Sequence, residues 1–408
     1  MSDRLFTPRF FTMCGFSFTV FVSVFQLLPA APYHLIDLGA PTAVAGLFLG
    51  LLTYSSAFSA PFTGRIGDRI GARRVLITVS LVLAGMSTTY AFLPGYHLLL
   101  VLVVVHGVFW SALLSASGAY MTSVIPPGRR AEGLGYWGLA SVLAIGVAPP
   151  LGFWVYRFGW TALCLEIAAL NLLMAVIAWK GIQGDGSRSV ENSRGRAEEI
   201  PRKFSTDRDP SPWIEWRVLV LSLSVGLVSF AYGSLTSFSA LFADSLAVRP
   251  NSLILSMMAV SILAGRLGLG RFVDRIGHRR VLLPCFALPP VGLALLATAD
   301  GAWSVAIAAL VFGAGFGLLF PSHTAYVMTH VPSTRRGAAF GALLAAFDTG
   351  IGTGSSALGW IIGQYGFRAA LAGTAALAAL ALPAFLLAEK LLGFRTAPAP
   401  ARTAGSLP

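Results

Sequence analysis

Long apolar stretches, broken by short polar or Gly/Pro-containing segments, dominate the chain between Phe10 and Lys390. A helix that crosses the hydrocarbon core of a membrane needs about 20 predominantly apolar residues. The pattern supplies such stretches at 10–32, 43–63, 75–93, 97–124, 134–156, 160–179, 217–243, 252–270, 281–299, 302–330, 338–361 and 367–390. It predicts an all-α integral membrane protein of about twelve transmembrane helices. The long polar interruption at 180–216, with GDGSRSVENSRGRAEE and DRDPSP, reads as a flexible linker. It divides the chain into an N-terminal six-helix half, 1–179, and a C-terminal six-helix half, 217–392, followed by a tail, 393–408, expected to be disordered. The run that begins at Phe10 is too long for the apolar core of a secretory signal and is taken as the first helix.

The two halves are copies of one unit. GRIGDRIGARRVL from Gly64 recurs as GRFVDRIGHRRVL from Gly270, an offset of 206 residues. The same offset carries Pro126, Arg129, Arg130 and Gly135 onto Pro332, Arg335, Arg336 and Gly341. One register relating two motifs a helix pair apart predicts two pseudo-symmetric six-helix bundles around a central site, an architecture suited to alternating access.

Composition agrees with the pattern. Of 408 residues, 56% are hydrophobic and 11% charged, where an ordinary soluble domain has roughly 25% charged. The net charge of +12 would suggest nucleic acid if it were spread over a surface, but its distribution excludes that partner. Every Lys and Arg except Arg157, Arg249, Arg368 and Arg266 falls before the first span, in alternate loops, in the linker or after the last span. This is the positive-inside pattern, with both termini cytoplasmic. Cys14, Cys164 and Cys285 stand singly in apolar stretches and suggest neither a disulfide nor a metal site. With no metal-ligand cluster, phosphate-binding GxxxxGK loop, GxGxxG after a strand or GxSxG elbow, the expectation is that the chain is not an enzyme. It needs no cofactor, and a proton gradient is the expected driving force.

The repeated pattern GxxxDRxGxRR between the second and third helices, and again between the eighth and ninth, resembles the signature of the major facilitator superfamily. The resemblance covers helix count, linker, duplication and both signature loops. It implies a conformational latch formed by Gly64, Asp68, Arg69, Gly71, Arg73 and Arg74 in one half and Gly270, Asp274, Arg275, Gly277, Arg279 and Arg280 in the other. Glycines in such short loops permit tight turns and close helix approach. A carboxylate there can cap the positive end of a helix from the other half. Carried over, Asp68 meets the backbone near Gly337 to Gly341 and Asp274 that near Glu132 to Gly135 when the cytoplasmic side is closed.

Within the family the chain looks like bacterial drug-proton antiporters of the efflux type, on the runs HGVFWSALLSASGAY and PPGRRAEGLGYWGLA. The fifth helix keeps only part of the antiporter motif, at Pro149, Pro150 and Gly152, and Val103 stands where an arginine is common.

Ionisable residues inside spans are functional candidates by default. Asp348 lies about 17 Å into the eleventh helix, near the midplane. It is either a protonatable coupling group or a structural carboxylate held by Thr349 or Thr353. Glu166, a second coupling candidate, enters the sixth helix near the outer surface and is expected at the interface. Arg266 is expected to snorkel toward the cytoplasmic surface. Its counterpart in the first half is Ala60.

The resemblance places helices one, four, seven and ten around the cavity. They supply Phe25, Gln26, His106, Trp110, Tyr232, Thr236, Phe238, Phe320, His323 and Tyr326. An aromatic cavity with few charges suits a small amphiphilic molecule. The function expected is proton-coupled export of such molecules by a monomer in a bacterial-type inner membrane, with lipid as surroundings. An importer of a sugar, organic acid or other metabolite is the alternative on the same fold. A receptor or scaffold without transport is the alternative of another class.

Overall fold

The structure, a computed structural model, describes residues 5–126, 129–182, 215–332 and 335–394, with the backbone alone at 61, 68, 130, 131, 269–275, 336 and 337. Most of the linker and all but the first residues of the tail therefore lie outside the described residues.

Among the described residues thirteen helices follow in order. The first half holds α1 (Pro8–Asp37), the short α2 (Thr42–Ala45) running into α3 (Leu47–Ile70), α4 (Ala72–Phe92), α5 (Tyr96–Val124), α6 (Arg130–Tyr156) and α7 (Trp160–Gly181). The second holds α8 (Trp216–Ser245), α9 (Leu253–Ile276), α10 (His278–Ala297), α11 (Ala302–His330), α12 (Arg336–Ala379) and α13 (Ala381–Leu391). At φ 78° and ψ 172°, Gly366 breaks α12 into two passes, and α13 continues the second. Twelve apolar passes result. Among the described residues ten helices are long and apolar enough to span a bilayer, the longest, Ala338–Leu391, holding both passes around Gly366, and α9 has a shorter apolar core at Leu253–Gly268.

Two passes outrun their apolar pattern. α3 continues from the expected 63 to Ile70, and α9 from 270 to Ile276. Arginines at a helix end keep their charge in water while the backbone stays helical, so hydropathy alone stops short. Termination falls to glycine. Gly71 has φ 90° and Gly277 φ 91°, a left-handed conformation that costs a residue with a Cβ more than glycine. The duplication is thus visible as geometry: the two signature turns share φ and ψ within two degrees. Arg129 N donates to Pro126 O and Arg335 N to Pro332 O, each at 3.0 Å.

Pairing within the halves follows the repeat. α1 packs on α6, α3 on α5 and α4 on α7, while α8 packs on α12, α9 on α11 and α10 on both α11 and α12. The α8–α12 pair is close because glycines line it. A Cβ at Gly226 would lie 3.0 Å from Ala346 O, and one at Gly354 would collide with Phe230 O. Such small-residue seams let helix backbones approach in a membrane. Each half has its own apolar core, one around Phe10, Phe16 and Leu113 and the other around Phe286, Leu319 and Phe385. A third core, with Leu27, Phe48, Leu163, Phe242, Met258 and Phe312, joins the halves.

Candidate functional site: the cleft between the halves

The halves meet along three helix pairs: α1 with α8, α2–α3 with α12, and α6 with α9. Their hydrogen bonds gather at the end away from the basic loops. Tyr33 Oη donates to Asp244 Oδ2 at 2.5 Å, and Asn251 Nδ2 donates to the same oxygen at 2.9 Å. Arg249 holds the other oxygen of Asp244. Ser355 Oγ donates to Gly46 O at 2.7 Å, and the Tyr54 and Thr353 hydroxyls pair at 2.6 Å.

Glycine again sets the spacing. A Cβ on Gly46 would collide with Ser355 O and one on Gly50 with Ser356 Oγ; one on Gly359 would lie 2.6 Å from Thr42 O. Gly352 faces Thr53 on the same seam, and Gly146, its counterpart at the repeat offset, faces Ala259 across the α6–α9 seam.

Toward the basic end the same faces separate. On α3 the face that carries Gly50 and Tyr54 continues as Phe58 and Phe62, 81% and 64% exposed. On α12 the face that carries Thr353 continues as Thr349, Ala345 and Gly341, all exposed. The result is a cleft that parts at the basic end, while at the other end the halves are joined by the hydrogen bonds around Asp244 beside a cavity of about 810 Å³ lined by Tyr33, Pro150, Phe153, Arg249 and Asn251.

Asp348 lies beside this strip, about 18 Å along α12 from Arg336 and one turn below Gly352. Its carboxyl is half-buried and has no hydrogen bond among the described residues. Of the two hydroxyls expected to hold it, that of Thr353 is engaged elsewhere: Thr353 Oγ1 donates to Thr349 O at 2.7 Å and meets Tyr54. Next to Asp348, Phe347 packs edge-on against Phe320 with centroids 4.8 Å apart and stacks on Phe316 at 6.3 Å. Phe316 stacks on Tyr232 at 4.3 Å and 9°. Phe21, Phe25 and Trp110 form the facing cluster in the first half.

Several residues assigned to the cavity turn elsewhere. His106 stacks on Tyr90 and its Nδ1 lies 3.2 Å from the Tyr90 hydroxyl, so it points at α4 within its own half. His323 is fully buried, with Nε2 3.1 Å from Ser222 Oγ and its ring edge-on to Phe286 and Phe385. Tyr326 donates to the buried Glu389 Oε1 at 2.7 Å. Phe238 is 1% exposed and plugs the closed end beside Gly46 and Gly359. These residues lie on the helices expected to carry them, but the direction in which each faces did not follow from helix number.

Glu166 is not an interfacial carboxylate. It faces α1, where its Oε1 accepts from Gln26 Nε2 at 3.3 Å. Gln26 is fully buried under Gly152, and Gln26 Oε1 and Glu166 Oε2 are both buried without a partner. Arg266 does not snorkel either: its Nε donates to Gly317 O at 3.1 Å, on α11.

Of the latch residues, Arg73 and Arg279 bond within their own halves. Arg73 Nη2 donates to Trp179 O at 2.6 Å, and Arg279 grips Glu389 with two bonds of 2.7 and 3.0 Å. Gly64 has open space where close approach was expected, as does Gly341. Arg69, Arg74 and Arg280 are exposed. The side chains of Asp68, Asp274 and Arg275, and that position at Gly270, lie outside the described residues. Phe316, Phe347, Tyr33, Asp244 and Tyr54 went unnoticed in the sequence. For Phe316 the run GAGFG, small residues around one aromatic, was an available signal.

Two duplicated bundles, closed on each other at one end and parted at the other with an unpaired carboxyl on the dividing surface, define a secondary transporter of the membrane. The chain belongs to the major facilitator superfamily, whose family model matches residues 10–265 and 221–406. It is 24% identical over 387 residues to the uncharacterized MFS-type transporter YhhS of Escherichia coli K12, covering 92% of this chain and 91% of that one. Among solved structures it is similar to a variant of the nucleoside transporter NupG, with TM-score 0.73 and 14% identity over 93% of this chain and 99% of that one. A bacterial homologue of the human lysosomal transporter Spinster, solved inward-facing and occupied, gives TM-score 0.73 and 16% identity over 96% and 98% of the two chains.

Proposed function

We propose that this transporter couples a proton gradient to the export of small amphiphilic organic molecules, acting as a monomer in a bacterial-type inner membrane. The basic loops face the cytoplasm in this reading, so the cleft is the inward-open state. The observation that carries it is Asp348, a carboxyl without a hydrogen-bonded partner, set beside an aromatic wall where the halves part. A carboxyl so placed can take a proton from one side of the membrane and release it to the other as the cleft changes sides. The aromatic groups of both halves offer stacking surfaces for a flat apolar body.

The test is substrate-induced proton flux in proteoliposomes, with wild-type protein and Asp348→Asn, against lipophilic cations, sugars and organic acids. The expected outcome is flux with amphiphilic compounds that Asp348→Asn abolishes. Flux driven by sugars, with substrate moving down the proton gradient, would establish the import alternative. An unaffected mutant would remove Asp348 from coupling.

A further inference from the structure

Arg266 stands on α9 ten residues before the helix ends, about 15 Å from the basic end. Its Nε donates to the carbonyl oxygen of Gly317, near the middle of α11. A guanidinium has five N–H donors, and no carboxylate among the described residues lies within ion-pair distance of this one. A cation at this depth without a counter-charge is costly unless something compensates it.

Its surroundings suit a visiting anion. Nη1 lies 3.8 Å from the position a Cβ would take on Gly138 of α6, in the other half, so the charge sits on the surface between the halves and faces a residue with no side chain to block it. α9 also packs on α8, the helix that carries Tyr232. From Tyr232 the stacked rings of Phe316 and Phe347 lead away along the wall of the cleft. Ala60 stands at the corresponding place in the first half, which gives a bound molecule one orientation.

We propose that Arg266 binds the anionic head of an amphiphilic organic monoanion whose apolar body lies along Tyr232, Phe316 and Phe347. This deepens the proposed function and rests on it. A planar guanidinium fork matches a carboxylate with two parallel hydrogen bonds. A single guanidinium matches one negative charge, which selects a carboxylate over a phosphate dianion.

Three probes with one body and different heads test the assignment: naphthylacetate, naphthylacetamide and naphthylethylammonium, titrated into the full-length protein in nanodiscs. The expected result is that wild-type protein binds the acetate about tenfold to a hundredfold more tightly than the amide. Arg266→Gln should lose that preference while keeping its affinity for the amide, and Arg266→Lys should keep part of it. A wild-type protein that binds acetate and amide equally overturns the inference and leaves the transport reading standing. So does an Arg266→Gln variant that keeps the preference. If none of the probes binds and none drives proton flux in proteoliposomes, both readings fall. Should Arg266→Gln not fold, as judged by its thermal transition, the wild-type comparison and Arg266→Lys decide.

Discussion

Asp348 and Glu166 are both carboxyls within the membrane-spanning passes, and packing treats them differently. Asp348 borders the cleft without a hydrogen bond among the described residues, whereas Glu166 accepts from Gln26 inside the first half. Each leaves a different test. Glu166→Gln turns one carboxylate oxygen into an amide donor beside the unpartnered Gln26 Oε1. It should raise stability by about 1 kcal/mol, read as a higher midpoint of thermal unfolding in detergent, while the proposed proton-coupled transport persists. Loss of coupling in this variant would move the coupling role from Asp348 to Glu166. At this scale the sequence was only partly legible. The positions of Asp348, Glu166 and Arg266 along their helices followed from residue counting. Their partners did not, because direction around a helix depends on which neighbour packs where. His106 and His323 show the same limit: both sit on cavity helices, and both turn to a neighbour within their own bundle.

At the scale of elements, the glycines separate contacts that hold a half together from contacts that join the halves. Gly354 faces Phe230 O within the second half, whereas Gly46 faces Ser355 O across the division. Gly354→Ala should therefore cost stability, about 1 to 3 kcal/mol for an overpacked site, measured as a lower unfolding midpoint. Gly46→Ala should leave the midpoint nearly unchanged and disfavour the closed end. With spin labels on cysteines replacing the exposed Ile70 and Ile276, the distance across the basic end should then shorten. The signature turns were the most legible elements of all. Glycine at the same place in both repeats pointed to a special turn, and the structure has the same positive φ at Gly71 and Gly277. Where α3 ends was less legible, since hydropathy falls before the helix does.

At the scale of the whole molecule, duplication, two bundles and twelve passes were all readable from the repeat offset and the apolar pattern. Which end was closed was not, because a sequence has no preferred state of a two-state cycle. Two sets of groups should bias that cycle in opposite directions. Asp244→Asn removes the charged acceptor shared by Tyr33, Asn251 and Arg249, and should lower the fraction open at the basic end. Asp68→Asn, at the proposed cytoplasmic latch, should raise it. The same pair of spin labels measures both, and equal shifts in one direction would contradict the assignment of the two ends.

The backbone-to-backbone seam between α2–α3 and α12 also bears on leakage. A gate made of long side chains can be half shut, because flexible chains yield by degrees. Where Gly46 and Gly359 bring main chain against main chain, there is little to compress, and a gap of a fraction of an ångström forfeits much of the attraction. Closure of this seam is therefore close to all-or-none, which leaves few half-shut states through which small solutes could leak.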